Sequence, residues 1–190
     1  VLAALLLPYA AGAAARVRLD DGFFVEAEDY DERIRGIRFA EQTPETLASG
    51  NEVLIGMWRP GAVGFEVAVE ETGPHAVWIR YAAPGDTTLE YGVDTSDREE
   101  MSTVELPATR DNLSAPGAYQ WARLGTAPLE KGTHWFVVGT GALRHDCYAF
   151  LTDTDRAVDD ALLTEVERVK QAPRGILLPE LTHDRKITEH

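Results

Sequence analysis

Sulfur is almost missing from this chain of 190 residues, in which Cys147 is the single cysteine. A lone thiol cannot form an intramolecular disulfide, a dithiol redox pair or a cysteine-based zinc site. Basic residues are scarce as well: 18 Lys and Arg face 32 Asp and Glu, a formal net charge of −14 and a pI near 4.7. Nucleic-acid binders neutralise phosphates with Lys and Arg, and a domain this acidic is repelled by DNA, RNA and anionic membrane surfaces. Nucleic acid and membranes are therefore not expected as partners. The uncharged stretch from Val1 to Ala15, followed at once by Arg16 and Arg18, is shorter than the ~20 apolar residues that span a bilayer. Its close in Ala13-Ala14-Ala15 has the pattern of the apolar region and cleavage site of a secretory signal peptide; a buried first helix is the alternative. With Val at position 1 and no basic segment before the run, residues 1–15 read as the remnant of a signal truncated at its start. The expectation is an exported protein, secreted or periplasmic.

What is present is enough for one folded unit. The apolar content of 44% supports a core and is unlike that of a disordered chain. From Gly22 to Thr152, short aromatic and β-branched runs alternate with Gly, Pro, Asn and Asp. They predict strands at 23–28, 36–40, 52–55, 63–69, 75–81, 87–93, 102–106, 120–124, 134–139 and 147–151, the spacing of an all-β antiparallel sandwich. Phe65, Val67 and Val69 share one face of their strand and Val77, Ile79 and Tyr81 one face of theirs. The short turn Glu71-Thr72-Gly73-Pro74 between them predicts an antiparallel hairpin. After Thr152 the period changes to that of a helix: Val158, Ala161, Leu162, Glu165, Val166 and Val169 make an amphipathic helix over 157–171, with Asp153 or Asp155 as its cap and Ala172-Pro173-Arg174-Gly175 as its stop. The chain thus divides into a sandwich over 16–153, an appended helix within 154–172 and a tail or linker over 173–190.

No catalytic motif survives inspection. There is no Gly-x-Gly-x-x-Gly or Walker pattern, no Gly-x-Ser-x-Gly elbow, and the five histidines include no His-Glu-x-x-His pair. The informative cluster is Val25-Glu26-Ala27-Glu28-Asp29-Tyr30, where strand alternation would send Glu26 and Glu28 to one face. Two neighbouring carboxylates repel, so either that face is solvated or a hard cation with oxygen ligands, such as calcium, sits against them. Asp146 lies just before a terminal apolar strand, Cys147 to Leu151. In a sandwich the first and last strands often lie close enough for such an acid to complete an oxygen cage.

Four segments in order resemble the carbohydrate-binding modules of families six and thirty-five, β-sandwiches of the galactose-binding-domain-like (jelly-roll) type. They are the opening Val25–Tyr30; Val63–Val67 with Gly73–Tyr81; Tyr119-Gln120-Trp121 followed by Leu129–His134; and the closing Asp146–Thr152. The resemblance implies a structural calcium ion held by Glu26, Glu28 and Asp146. It also implies that polysaccharide or glycan is held in a loop-end cleft by aromatic side chains. Trp58, in the Gly- and Pro-flanked stretch Gly56-Met57-Trp58-Arg59-Pro60-Gly61, reads as an exposed contact residue. Tyr119 and Trp121 are nearest the family's stacking position, although Trp121 is equally assignable to the core. Trp135 reads as packing and Trp78 is open between the two layers. Where many members carry Asn before the closing Asp, this chain has Arg144 and His145; an arginine there would suit an acidic sugar. The expectation is a non-catalytic module that binds glycan as part of a longer chain, with calcium as its cofactor. The alternative is a β-sandwich that packs against protein and binds no sugar. An enzyme would need its catalytic residues outside these positions.

Overall fold

The computed structural model describes residues 16–35, 40–56, 61–140 and 142–172. The strands are β1 (Val17–Leu19), β2 (Gly22–Glu26), β3 (Glu32–Arg35), β4 (Ala40–Pro44), β5 (Glu52–Gly56), β6 (Gly61–Val69), β7 (Gly73–Ala82), β8 (Thr87–Val93), β9 (Ser102–Leu106), β10 (Gln120–Leu129), β11 (Gly132–Thr140) and β12 (Arg144–Leu151). One helix, α1 (Ala161–Gln171), follows. Among the described residues the strands form two antiparallel sheets. In the seven-stranded sheet β12 pairs β7 along one edge, and β2 and then β5 along the other, with β1, β4 and β10 completing it. The second sheet runs β3-β6-β11-β8-β9. This is the expected all-β sandwich with an appended helix.

Period-two alternation builds the core. Phe23 and Val25 of β2, Val77, Ile79 and Tyr81 of β7, and Tyr148 and Phe150 of β12 point inward against Val63, Phe65, Val67, Phe136 and Val138 of the facing sheet. The aromatic centre is tight: Phe23 stacks on Phe150 at 4.5 Å between centroids, and Phe136 meets Tyr148 at 5.2 Å and Phe150 at 5.0 Å edge to face, the geometries that ring quadrupoles favour. The alternate residues Phe24, Cys147, Ala149 and Leu151 point outward and are covered by Leu162 and Val166 of α1, with Trp78 and Trp121 at the margin. Trp78 thus belongs to the outer layer. Trp135 packs outside the other sheet against Ala62, Met101 and Val137, lying so close over Gly64 that an added Cβ would come within 2.3 Å of its ring.

Two expectations are corrected. The runs joined at residues 71–74 do not form a hairpin: β6 pairs β11 and β3, whereas β7 pairs β10 and β12. Alternation specifies which face is buried but not which strand lies alongside. Here the two apolar faces meet across the core rather than side by side, so the turn carries the chain from one sheet to the other. The helix begins at Ala161, not Ala157. Asp153 instead closes a turn of its own, its Oδ1 accepting from the Asp155 amide at 3.1 Å and its carbonyl from the Arg156 amide at 3.3 Å. Asp159 takes the capping role, its Oδ1 accepting from the Ala161 amide at 2.8 Å. Strands β1, β3 and β4 were not anticipated. Residues 1–15, read from the sequence as a signal remnant, most of the strand placed at 36–40, Trp58 and the tail lie outside the described residues.

Candidate metal centre and loop-end surface

β2 stops at Glu26, and Ala27–Asp29 make a single 3-10 turn. Glu28 therefore does not follow strand alternation, yet the turn brings it back beside Glu26. Both carboxylates close on Gly50, where an added Cβ would lie 2.6 Å from Glu28 Oε1 and 3.6 Å from Glu26 Oε1. Gly50 also has φ +63°, in the left-handed region, so the position excludes a side chain on two grounds. From the other side comes β12, with Cys147 opposite Glu26. Against β7 its register shifts between His145 and Cys147, leaving Asp146 as the unpaired residue of a bulge, a device that re-aims side chains. Asp146 lies inside β12, not before it as the sequence suggested.

The three carboxylates are buried: Glu26 is 5% exposed, Glu28 8% and Asp146 0%. Asp146 Oδ1 accepts from the Ser49 amide at 2.7 Å, and its Oδ2 from Arg80 Nη1 at 2.5 Å. Glu26 Oε1 accepts from the Ser49 hydroxyl at 2.9 Å and from Lys170 Nζ at 2.7 Å, while Glu26 Oε2 is buried with no hydrogen-bond partner. Ligand atoms of Glu26, Asp146 and Cys147 all lie within 4.8 Å of one another. Burial, reinforced by the neighbouring carboxylates, pushes Glu28 up to about 8 and Glu26 upward. Asp146 rises to about 7 because burial outweighs the lowering effect of Arg80. Burial likewise raises the Cys147 thiol, which leaves it protonated and a poor ligand.

A cluster of buried carboxylate oxygens, one of them unsatisfied, has the donor chemistry of a hard divalent cation. Two positive side chains, Arg80 and Lys170, face three acids, and each is shared with a further carboxylate, Asp160 and Glu167 respectively. A pH dependence follows for the metal-free chain. Asp146 and Glu28 keep their protons to about pH 7 and 8 when folded, but only to about pH 4 when unfolded. The folded state binds more protons in that window, so stability declines as pH rises from about 4 to about 8 and then levels. Resistance to urea should be lower at about pH 8 than at about pH 5 by several kcal/mol; stability that rises over this interval would contradict the site.

Above the acids sits the turn between β4 and β5, residues 45–51. Arg80 Nη1 reaches the Leu47 carbonyl at 3.4 Å, Ser49 is bonded as described, and the Glu45 amide donates to the Asn51 carbonyl at 2.8 Å. This turn presents Glu45, which pairs with Arg144 at 2.5 Å. Nearby, Tyr119 is 5% exposed, packs with Val53, Ala82 and Ala118, and lies under the Arg80 guanidinium at 5.2 Å. Tyr119 and Arg144 thus come together at the loop end. His145 does not join them: it is fully buried, its Nδ1 is 2.7 Å from the Tyr148 hydroxyl, and burial holds it down to about 3 and therefore neutral. Trp121 lines one open surface concavity with Tyr119, Asp159 and Asp160; it is half-buried beside α1, with Nε1 donating to Asp160 Oδ1 at 3.1 Å. Asp160 binds Arg80 as well, at 2.9 and 3.1 Å, so its carboxylate is engaged away from its own helix.

Sequence reasoning missed Arg80, Ser49, Gly50, Asp160 and Lys170. Arg80 did leave a signal, a lone cation within an apolar strand; the others come from separate turns and a helix that only the tertiary structure brings to the acids. Against known proteins, no family model matches the sequence and no curated protein matches it. Solved structures do. A family 6 carbohydrate-binding module of Cellvibrio mixtus lichenase 5A, solved with cellotriose, superposes with a TM-score of 0.53 at 16% identity over 67% of this chain and 95% of its own. The fold is that of a carbohydrate-binding module. The C-terminal family 6 module of LamC, a marine laminarinase of Zobellia galactanivorans, gives 0.51 at 14% identity over 67% and 97%. The Podospora anserina GH26-CBM35 β-(1,4)-mannanase gives 0.52 at 19% identity over 75% of this chain, which spans only 30% of that enzyme. Among the described residues no helix is long and apolar enough to cross a membrane.

Proposed function

We propose that the chain is a non-catalytic, exported module that binds polysaccharide or glycan, steadied by a calcium ion on Glu26, Glu28 and Asp146. The observation that carries this reading is the position of the acid cluster directly beneath the 45–51 turn, within a fold shared with the cellotriose-bound module. Bound calcium would supply the positive charge that the three buried acids lack. The chain's own residues do the rest: Ser49 ties the turn to both Glu26 and Asp146, Arg80 ties it to Asp146, and the turn presents Glu45 to Arg144 beside Tyr119. Because Arg144 is already paired with Glu45, the pair carries no net charge, which favours a neutral glycan over the acidic sugar that an unpaired arginine would suit. Trp58, Tyr119 and Trp121 are the aromatic residues assigned to the sugar.

Affinity electrophoresis in gels containing neutral and acidic polysaccharides tests this. The wild-type chain should be retarded by one neutral polymer, and Trp58→Ala or Trp121→Ala should weaken retention about tenfold or more, within the ~1–3 kcal/mol of a ring stacked on its partner. Unaltered retention in both variants would remove these aromatics from the site.

A further inference from the structure

Helix α1 is fastened at its last turn by an ammonium group placed in the acid cluster. Lys170 Nζ donates to Glu26 Oε1 at 2.7 Å and to Glu167 Oε1 at 3.3 Å, and lies 5.9 Å from the centroid of the Phe24 ring. The lysine side chain is 30% exposed and its partner Glu26 only 6%, so the charge enters from solvent and meets a buried carboxylate. Glu26 thus has one oxygen on a cation supplied by the helix, while the other is buried and unsatisfied. Two cations on one buried carboxylate repel each other strongly where water cannot screen them.

We propose that Lys170 is an internal competitor for the cation site, so that binding of a divalent ion at Glu26, Glu28 and Asp146 and seating of the last turn of α1 oppose each other. This rests on the calcium reading above and adds a consequence that the reading does not contain. Without the ion, Lys170 partly neutralises the acids and holds α1 over the outer sheet face. With it, the ammonium loses its place on Glu26, and the helix keeps its other anchors, which lie toward its start: the apolar contacts of Leu162 and Val166, Arg156, which bonds Asp21 and Glu165 at 2.8 Å, and Asp160, which holds Arg80 and Trp121. The end of α1 nearest the acids then loosens first.

Equilibrium dialysis of the full chain against calcium, with wild type, Lys170→Met and Lys170→Arg, tests the competition. Methionine keeps the stem over Phe24 and removes the charge; arginine keeps the charge. Lys170→Met should bind calcium about tenfold more tightly than wild type, a coupling of about 1.4 kcal/mol, and Lys170→Arg within about twofold of it. Amide hydrogen exchange reports the helix: calcium should speed exchange over 166–171 in wild type and leave Lys170→Met unchanged. Equal affinities in wild type and Lys170→Met overturn the competition while leaving the metal site standing. Tighter binding without any change in helix exchange overturns the link to α1. Failure of all three proteins to bind calcium overturns the metal reading itself, and this proposal with it.

Discussion

Arg80→Met is expected to destabilise the domain by about 3–5 kcal/mol, the cost of breaking a buried ion pair from one side. The side chain is 7% exposed and its partner Asp146 0%, so the carboxylate left behind has no water to turn to. Methionine preserves most of the stem volume, and the loss is therefore one of charge and hydrogen bonds. These are the bonds to Asp146, to the Leu47 carbonyl and, through two nitrogens, to Asp160. The Tyr119 ring loses its cation in the same step. At ~2–4 °C per kcal/mol for a chain of this size, the melting temperature should fall by on the order of 10 °C. Adding Asp146→Asn should restore part of the loss, because an amide needs no counter-charge and the two sites are in contact. A variant that melts within about a degree of wild type would show that Arg80 and Asp146 do not depend on each other.

Calcium should raise the melting temperature of the wild-type chain, and a chelator should reverse the effect. An ion that binds only the folded state stabilises it by about 2.7 kcal/mol at a hundredfold excess over its dissociation constant, which corresponds to roughly 5–10 °C here. Glu26→Gln and Asp146→Asn should each abolish the difference between calcium and chelator, since each removes a charged ligand oxygen from the cluster. Glu26→Gln should also melt later than wild type in chelator at about pH 8, because it relieves repulsion among acids that burial already holds above their ordinary range, whereas Asp146→Asn gives up the ion pair with Arg80 and should melt earlier. Identical wild-type melting curves in calcium and chelator would remove the metal from the account.

Much of this architecture was legible in the residues. The alternation of Phe65, Val67 and Val69 and of Val77, Ile79 and Tyr81 marked the inner faces, and the shift to a helical period after Thr152 marked α1. Pairing was not legible: a period of two says which face is buried, and the turn at 71–74 serves a crossing between sheets as readily as a hairpin. The helix start was misplaced because Asp153 has the chemistry of a cap and uses it on a local turn.

At the site, Glu26 and Glu28 close on Gly50 and Asp146 lies close to Glu26 and Cys147, by routes that strand alternation does not describe. Glu28 arrives through a 3-10 turn and Asp146 through a bulge. Arg144 looked like a free guanidinium for an acidic ligand; Glu45, from a turn 99 residues away, answers it. His145 looked like a cleft residue because it adjoins Arg144. Along a strand adjacent side chains face opposite ways, and His145 is turned into the interior against Tyr148. Lys170 was the least visible of all, as one more charge on the polar side of a surface helix.

The most direct test of the central claim is an equilibrium titration of the full chain, in calcium, with soluble plant, algal and bacterial polysaccharides, followed by tryptophan fluorescence. Saturable binding to one class of glycan, reduced by chelator, is the predicted result. A folded chain that binds none of them would contradict glycan recognition and leave the outer sheet face, with α1 and Trp121, as the surface to pursue.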